Sequence, residues 1–496
     1  MIKENQKNKL LLDIVDRNKD TEYGRKYLFE YVRIVDGFRH NVPLTKFEDV
    51  QPFIELTTRI GENGIYTQDK LISYALTSGT SEINHYVPCT EKHIEAYVDE
   101  FTKLLKTGSG YKVVLFSSIP HDIIYHDQAK LDIIAGTILN EIRKKIKKYR
   151  ITSPEELLFP KDVVDMNYYR TLFALANDNV DMIIAPFSWN VMHMVECILD
   201  RGEDLVHDLK TGIVTFDDEI NDSTKEKIQA AFSAAEKRGE LLENVLDSGN
   251  YDGLLSKLWP KLKKIVAAGT GRFEIYKDNL LPYLGNVQYS NGFLAASEGI
   301  MGEAVDGRDD YKMYQNNVFM EFLPTAEKTN ETLLSDEVEI GKEYAIYITN
   351  YAGLYRYRVG DIVKITDVKD GVPYFGYVGR TNEKISEQNI YHALREVMKQ
   401  KNIYLNDFCF EKDDDNRLTI YIEIKDNKKI DCFELVNNLP KELNVKEIKL
   451  IPYGSQYRYK RIRGKAGNMA SDQLKPVRLL DNKDKKEFFK SLTISK

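Results

Sequence analysis

Two kinds of apolar spacing alternate along the chain before residue 337. Apolar residues recur at helical intervals in residues 167–176 and 191–199. Mostly apolar runs of strand length are found at residues 113–116, 180–185 and 264–268. Strands that alternate with helices are typical of α/β folds, in which the helices cover a parallel sheet. The pattern therefore predicts an α/β fold with a largely parallel sheet.

After residue 337 the pattern changes to short β-rich runs that are separated by turn residues. Gly353, Gly360 and the Lys369-Asp370-Gly371 triplet divide these runs, as the turns of successive hairpins would. Beyond Arg380 a shorter stretch combines helical and strand patterns. We therefore predict a large N-terminal α/β domain with a β-rich subdomain at 1–380, and a small, mobile α+β C-terminal domain at 381–496.

Composition limits the function classes that fit this chain of 496 residues. The formal net charge of −7 argues against a dedicated nucleic-acid binder, which would normally be basic. The four cysteines stand far apart without a C-x-x-C pair, as reduced thiols of a cytoplasmic protein do. The N-terminal residues carry charges and no apolar signal region. We expect a cytoplasmic protein that binds neither membranes nor nucleic acids.

A first candidate site is the glycine between small hydroxyl residues at 77–81, directly after an apolar run. The backbone N–H groups and hydroxyl groups of Ser78, Gly79, Thr80 and Ser81 can converge on a phosphate. The segment is not a Walker A loop, because no lysine follows the glycine. Taken alone, it is equally typical of an ordinary turn.

Two further segments place carboxylates beside glycines. Glu298 ends the apolar run 293–296, where a carboxylate can hold a cation that bridges phosphates. Asp361 follows Gly360, where it can accept hydrogen bonds from the hydroxyl groups of a ribose. The structural alternatives are a glutamate at a helix N-terminus and an ordinary Gly-Asp turn.

The fourth segment is basic and spans residues 460–478. A lysine such as Lys475, on a loop that a mobile domain can carry, is suited to stabilise charge that develops on a phosphate. The alternatives for such a basic cluster are a solvated face and an RNA-binding patch.

In order along the chain, these segments resemble the GH3 family of acyl acid–amido synthetases. The Tyr-Arg-x-Gly-Asp motif of that family is present unchanged at 357–361. The lysine motif at 473–478 is matched less closely. The other matching segments are residues 38–50, 77–81, 296–299 and 319–324. Because several ordered motifs cover nearly the whole chain, an accidental match to each of them is improbable.

The resemblance implies an adenylate-forming enzyme with its active site between two domains. Such an enzyme uses ATP and Mg²⁺ to convert a carboxylic acid into an acyl-adenylate, and then transfers the acyl group to an amine or amino acid. Glu298 would hold Mg²⁺, Asp361 would bind the ribose, and Lys475 would reach the site when the domains close. The other implied nucleotide-binding residues are Ser78, Gly79, Thr80, Ser81, Ala268, Gly269, Thr270, Ala296, Ser297, Tyr357 and Arg380.

Some residues depart from the family pattern. Glu82 and His85 stand where relatives carry a glycine and a basic residue, and Leu294 replaces an aromatic residue. An additional carboxylate near phosphates repels them by about 1 kcal/mol when fully solvated. Two alternatives therefore remain open: an acyl-CoA ligase that forms a thioester, and a non-catalytic protein that binds a nucleotide or an acyl ligand.

Overall fold

The computed structural model describes residues 4–60, 64–76, 86–106, 110–116, 124–126, 129–132, 134–160, 165–217, 219–327, 329–381, 387–425, 430–467 and 474–494. The chain divides into two compact units. The first unit comprises Met1–Ser109, His121–Arg150 and Ser290–Asn382, and the second comprises Gly110–Pro120, Ile151–Tyr289 and Glu383–Lys496.

The α-helices of the described residues are α1 (Glu4–Arg17), α2 (Glu22–Lys26), α3 (Val35–Asn41), α4 (Phe47–Ile60), α5 (Glu91–Leu104), α6 (Ile134–Ile142), α7 (Glu155–Leu158), α8 (Asn167–Leu175), α9 (Ser188–Asp200), α10 (Gly202–Thr211), α11 (Asp222–Ala231), α12 (Glu236–Asp247), α13 (Leu254–Leu258), α14 (Glu274–Leu284), α15 (Glu387–Gln400), α16 (Cys432–Asn438), α17 (Ser455–Gly467) and α18 (Lys483–Ser491). Among these described helices, each is too short or too polar to cross a membrane.

The strands are β1 (Leu71–Leu76), β2 (Tyr86–Thr90), β3 (Lys112–Leu115), β4 (Ile124–His126), β5 (Ala129–Asp132), β6 (Val180–Phe187), β7 (Lys264–Ala268), β8 (Gln288–Ser290), β9 (Phe293–Ala296), β10 (Gly299–Ala304), β11 (Tyr311–Met313), β12 (Val318–Pro324), β13 (Glu343–Asn350), β14 (Tyr357–Lys369), β15 (Val372–Arg380), β16 (Leu405–Lys412), β17 (Leu418–Ile424) and β18 (Val445–Ile451).

The first unit is built on a seven-stranded sheet and a smaller four-stranded sheet. The strand order is β12-β13-β14-β15-β11-β10-β9 in the large sheet and β2-β1-β5-β4 in the small one. Every neighbouring pair in the large sheet is antiparallel. Its core includes the fully buried side chains of Tyr355, Phe322 and Ile348.

The second unit contains the parallel sheet that the sequence predicts. In the order β3-β6-β7-β8, the first three strands run parallel. Helices α8, α9 and α14 contribute apolar side chains to its core, in which Trp189 and Trp259 are fully buried. A three-stranded sheet, β16-β17-β18, lies in the same unit together with α15 and α16. The predicted α/β class with a β-rich part is confirmed. The prediction of a largely parallel sheet holds for the sheet β3-β6-β7-β8 and not for the other three sheets of the described residues.

Most local predictions are confirmed. The helical spacing at 167–176 corresponds to α8, the apolar run 264–268 is β7, and the Asp370-Gly371 turn connects β14 to β15. Both turn residues have positive φ, 53° and 69°, as a two-residue hairpin turn of type I′ requires. The division into domains at residue 380 stays a prediction.

The prediction that a turn at Gly360 separates two β-rich runs is wrong. Strand β14 begins at Tyr357 and continues through Gly360 and Asp361 to Lys369, so Asp361 lies within a strand and not after a turn. Arg356 precedes the strand with a φ of 46°, in the left-handed region. Strand alternation therefore does not extend to Arg356, and its side chain is buried.

The guanidinium group of Arg356 is fully hydrogen-bonded inside the first unit. Nε and Nη2 donate to the carboxylate of Glu321, with Nη2 to Oε1 at 2.8 Å. Nη2 also donates to Thr332 Oγ1 at 3.0 Å. Nη1 donates to the carbonyl groups of Arg39 and Val42, each at 2.8 Å. A buried ion pair is tolerated when every donor finds an acceptor, as here.

Replacing Glu321 with glutamine is expected to lower the free energy of unfolding by about 3–5 kcal/mol, because it leaves the buried charge of Arg356 without a counter-charge. The measurement is the shift of the urea denaturation midpoint of the full chain.

Glu339→Gln is the matched control, because Glu339 forms an exposed ion pair with Lys342 at 2.8 Å. An exposed pair contributes about 0–1 kcal/mol. Equal midpoint shifts for the two variants would contradict the structural role of the Arg356–Glu321 pair.

Candidate functional site

Glu298 lies in the tight turn that connects the antiparallel strands β9 and β10. The strands pair through Ala296 and Gly299, which leaves Ser297 and Glu298 as the turn residues. A Cβ atom on Gly299 would come within 2.2 Å of Val318 Cγ1, so the close approach of β10 to β12 requires glycine there. Glu298 is 8% exposed. The sequence-predicted position of this glutamate at the end of a strand is confirmed.

Helix α5 supports this turn through two side chains that are one helical turn apart. His93 Nε2 lies 3.0 Å from the carbonyl oxygen of Ser297, and the hydroxyl group of Tyr97 donates to the carbonyl oxygen of Ala296. Burial lowers the pKa of His93 to about 4, so the imidazole is neutral at physiological pH. Because a carbonyl oxygen only accepts, the proton of this neutral imidazole is on Nε2.

The carboxylate of Asp361 pairs with Arg380 across strands β14 and β15. The two residues are register partners, and Asp361 Oδ1 lies 3.5 Å from Arg380 Nε. Arg380 Nη2 also donates to the carbonyl oxygen of Val359 at 3.0 Å. The side chain of Arg380 is 45% exposed and that of Asp361 is 13% exposed. A pair this exposed contributes little to stability, so its charges are suited to a ligand.

Tyr357 connects Glu298 electrostatically with the Asp361–Arg380 pair. Burial is the main cause that raises the pKa of its phenol, the charge of Glu298 raises it further, and the charge of Arg380 lowers it. The first unit thus brings together Glu298, Tyr357, Asp361 and Arg380. Two carboxylates and one guanidinium group in one region suit a cation, a pair of sugar hydroxyls and a phosphate.

In the second unit, strand β7 ends at Ala268, the first of three residues predicted at the site. The other two, Gly269 and Thr270, directly follow the strand. Ala268 is the register partner of Phe187, the last residue of β6. The ring of Phe187 stacks on that of Phe273, with centroids 4.1 Å apart. Lys475 Nζ lies 6.0 Å from the centroid of the Phe187 ring. Ligands of open α/β sheets bind at the carboxyl ends of the strands, and this is where these residues meet.

The predicted phosphate loop lies outside the described residues, together with Glu82 and His85. Leu294, which departs from the family pattern, packs into the hydrophobic core of the first unit.

The residues of the first unit fit Mg²⁺ when it is bound together with phosphates. Within the described ranges, no group of three or more His, Cys, Asp or Glu residues could hold a metal ion by itself. Mg²⁺ at nucleotide sites usually binds one or two carboxylates and takes its other oxygen ligands from phosphates and water. The single buried carboxylate of Glu298 has this chemistry.

A cavity of about 190 Å³ in the second unit is lined by none of the sequence-predicted residues. Its walls carry several carboxylates, which mainly serve the fold. Glu423 accepts hydrogen bonds from Asn406 and from the backbone N–H groups of Gly454 and Gln456. Asp407 is paired with the buried Arg478. We therefore assign this cavity no part in the chemistry.

Comparison with known families decides where the chain belongs. Residues 3–289 match the GH3 family N-terminal domain, and residues 311–380 match the GH3 family central domain. The chain belongs to the GH3 family.

Curated relatives of this GH3 chain are amido synthetases of plants. Indole-3-acetic acid-amido synthetase GH3.17 of Arabidopsis thaliana is 25% identical over 437 residues, which cover 78% of this chain and 71% of the relative. Jasmonoyl–L-amino acid synthetase JAR6 of Nicotiana attenuata is 26% identical over 429 residues, with 79% and 72% covered.

Solved structures share the fold of the GH3 chain. The AtGH3.15 acyl acid amido synthetase in complex with 2,4-DB matches with a TM-score of 0.83 at 23% identity, over 99% of this chain and 94% of the other. A 2-hydroxyisobutyryl-CoA ligase in the postadenylation state matches with a TM-score of 0.58 at 14% identity, over 97% and 89%. The adenylate-forming architecture that the sequence predicts is therefore confirmed.

Several residues that lie at the site of this GH3 chain were not predicted from the sequence. Phe187 follows a proline at the end of β6, and an aromatic residue directly after a buried strand was the available signal. His93 and Asn350 contact the turn of Glu298 from distant segments. No local pattern distinguishes them, because their role depends on contacts that only the tertiary fold creates.

Gly360→Ala is expected to weaken ATP binding by this GH3 chain and to cost about 1–2 kcal/mol of stability. Gly360 has a φ of 95°, and a Cβ atom there would lie 3.2 Å from Arg380 Nη2. The guanidinium group of Arg380 must therefore shift by a few tenths of an ångström, which perturbs its pairing with Asp361. Calorimetric titration with ATP and urea denaturation measure the two effects.

Gly376→Ala on the neighbouring strand β15 is the control, because a Cβ atom there would meet no heavy atom within 4 Å. It is expected to change the stability by less than about 0.5 kcal/mol. If Gly360→Ala binds ATP as tightly as this control, Arg380 does not contribute to the nucleotide site.

Proposed function

We propose that this GH3 family protein is an ATP-dependent acyl acid–amido synthetase of the cytoplasm. The observation that carries the proposal is the grouping of Glu298, Tyr357, Asp361 and Arg380 in the first unit of a chain that belongs to the GH3 family. Its plant relatives include an indole-3-acetic acid-amido synthetase and a jasmonoyl–L-amino acid synthetase, which supports amide formation from a carboxylic acid. Four cysteines in the free thiol state support the cytoplasmic location.

The reaction has two steps. A carboxylate oxygen of the acid attacks the α-phosphorus atom of ATP, and the bond from that atom to pyrophosphate breaks. The nitrogen of the amine then attacks the carbonyl carbon of the acyl-adenylate, the bond to AMP breaks, and the nitrogen loses a proton. Both steps need donors and cations that stabilise negative charge on phosphate oxygens.

Each proposed role follows from the chemistry of the side chain. Glu298 would hold Mg²⁺, which would supply positive charge against the leaving pyrophosphate. Asp361 accepts hydrogen bonds from the ribose hydroxyls. Lys475 supplies positive charge to the phosphate during the first step. The remaining nucleotide contacts are assigned to Ser78, Gly79, Thr80 and Ser81 for the phosphates, to Ala268, Gly269 and Thr270 for the adenine, and to Ala296, Ser297, Tyr357 and Arg380 for the surrounding wall.

The decisive experiment is the exchange of labelled pyrophosphate into ATP in the presence of a library of carboxylic acids. Acids that support exchange are then incubated with ATP and amino acids, with and without coenzyme A, and the products are identified by mass. An amide is expected. A thioester in place of the amide would instead identify an acyl-CoA ligase, and the absence of exchange with every acid would identify a non-catalytic binding protein.

Asp361→Ala and Glu298→Ala are each expected to reduce acid-dependent pyrophosphate exchange by at least about 100-fold, because each removes a charged contact to the nucleotide or its metal ion. Circular dichroism spectra like that of the parent protein would show that the fold persists. Near-normal exchange in either variant would refute the role of that carboxylate.

Lys475→Ala is expected to reduce the exchange rate by about 100–1,000-fold, because it removes a cation from the developing charge. We propose that residues 381–496 move as a domain and deliver this lysine for the first step, so the dissociation constant of ATP should change little. Lys483→Ala is the control, since the side chain of Lys483 is 83% exposed. Equal losses in exchange and ATP binding would mean that Lys475 is a structural residue.

A further inference from the structure

Three consecutive carbonyl groups of the Glu298 turn each accept a hydrogen bond from a side chain. Tyr97 donates to Ala296 and His93 to Ser297, as described above. Asn350 Nδ2 donates to the carbonyl oxygen of Glu298 itself at 2.7 Å. A turn between two strands normally leaves such carbonyl groups to water. Here they are held from two different elements, α5 and β13.

The side chain of Asn350 also organises the segment that leads to Asp361. It is fully buried at the end of β13. Its Oδ1 accepts a hydrogen bond from the backbone N–H of Leu354 at 3.0 Å. The backbone groups of the same two residues add a hydrogen bond, from Asn350 N to Leu354 O, at 3.0 Å. One amide group therefore connects the turn of Glu298 to the loop that enters β14.

Both sides of the planar amide of Asn350 are engaged. The donor side of Asn350 faces a carbonyl oxygen and the acceptor side faces an N–H group, so the orientation of the amide is fixed by its partners. Both bonds are buried, where a lost partner leaves a polar group unsatisfied. The distance between the Glu298 turn and the start of β14 thus depends on this one side chain.

We propose that Asn350 is a positioning residue for nucleotide activation, which fixes Glu298 relative to the strand that carries Asp361. His93 and Tyr97 hold the two preceding carbonyl groups and prevent the turn from rotating about Glu298. The proposal rests on one part of the proposed function, namely that Glu298 holds Mg²⁺ when ATP is bound. Groups that orient a metal ligand in this way commonly change metal affinity or activity by about 10–100-fold when they are replaced.

The first test is Asn350→Asp, which keeps the shape of the side chain and the bond to Leu354 but replaces the donor by an acceptor. ATP binding is measured by calorimetry with and without Mg²⁺. The enhancement of ATP affinity by Mg²⁺ is expected to fall by about tenfold relative to the parent protein, while ATP affinity without Mg²⁺ stays within about threefold. A general loss of folding would lower the ATP affinity with Mg²⁺ and the ATP affinity without Mg²⁺ by the same factor.

Asn18→Asp is the matched control in the same unit. Asn18 is also fully buried, donates from Nδ2 to Ile14 O and accepts at Oδ1 from Gln68 N, each at 2.8 Å. The substitution therefore changes the same chemistry at the same burial, away from Glu298. The Mg²⁺ enhancement in this variant is expected to equal that of the parent. An equal loss of enhancement in both variants would overturn the proposal.

The pair His93→Leu and His93→Gln replaces the first test if Asn350→Asp does not fold. Glutamine can still donate to Ser297 O and leucine cannot, so the Mg²⁺ enhancement should be lower for leucine by about tenfold. Equal enhancement for the two variants would overturn the inference. If the parent protein binds ATP with Mg²⁺ but supports exchange with no acid, the proposed synthetase function fails while the binding measurements still decide the role of Asn350.

Discussion

The buried ion pair between Arg356 and Glu321 is the constraint on which the first unit depends. Its guanidinium group binds the C-terminal end of helix α3 at Arg39 and Val42, strand β12 at Glu321, and the side chain of Thr332. These contacts hold the residue that directly precedes β14. The left-handed backbone of Arg356 is unfavourable for a residue with a side chain, and the hydrogen bonds that hold it offset this cost. Because β14 begins at the next residue, the pair fixes where Tyr357 and Asp361 lie.

Some residues of the motifs that identify the family belong to the hydrogen-bond network of Arg356. The opening segment and the segment around Glu321 both contact Arg356, the residue directly before the Tyr-Arg-x-Gly-Asp motif. The residue types at these contacts follow from the geometry of one guanidinium group and its acceptors. Some motif residues can therefore identify the family by serving its fold, whereas others, such as Asp361 and Glu298, are the ones that we propose for the chemistry.

The sequence predicts those parts of the fold whose signal is local. Strand β7, helix α8 and the Asp370-Gly371 turn follow from apolar spacing and from residues that tolerate positive φ. The antiparallel order of the large sheet could not be predicted, because apolar runs carry no information on which strands pair. Glu298 and Asp361 could be proposed from their places beside strands and glycines. Phe187 could have been proposed as an aromatic residue at the end of a buried run. His93 and Asn350 could not, since the turn residues that they contact are 204 and 52 residues away in sequence.

The two carboxylates that we propose for the nucleotide and its Mg²⁺, Asp361 and Glu298, are supported by different physical means, and this difference has a chemical reason. Asp361 lies in a regular strand, and its partner Arg380 is half exposed, so this end of the site can exchange contacts with a sugar. Glu298 lies in a turn whose carbonyl groups are each held by a buried donor. A ligand of Mg²⁺ must meet a strict octahedral geometry, whereas hydrogen bonds to hydroxyl groups tolerate a wider range of angles. The more demanding partner is therefore matched by the more rigid support.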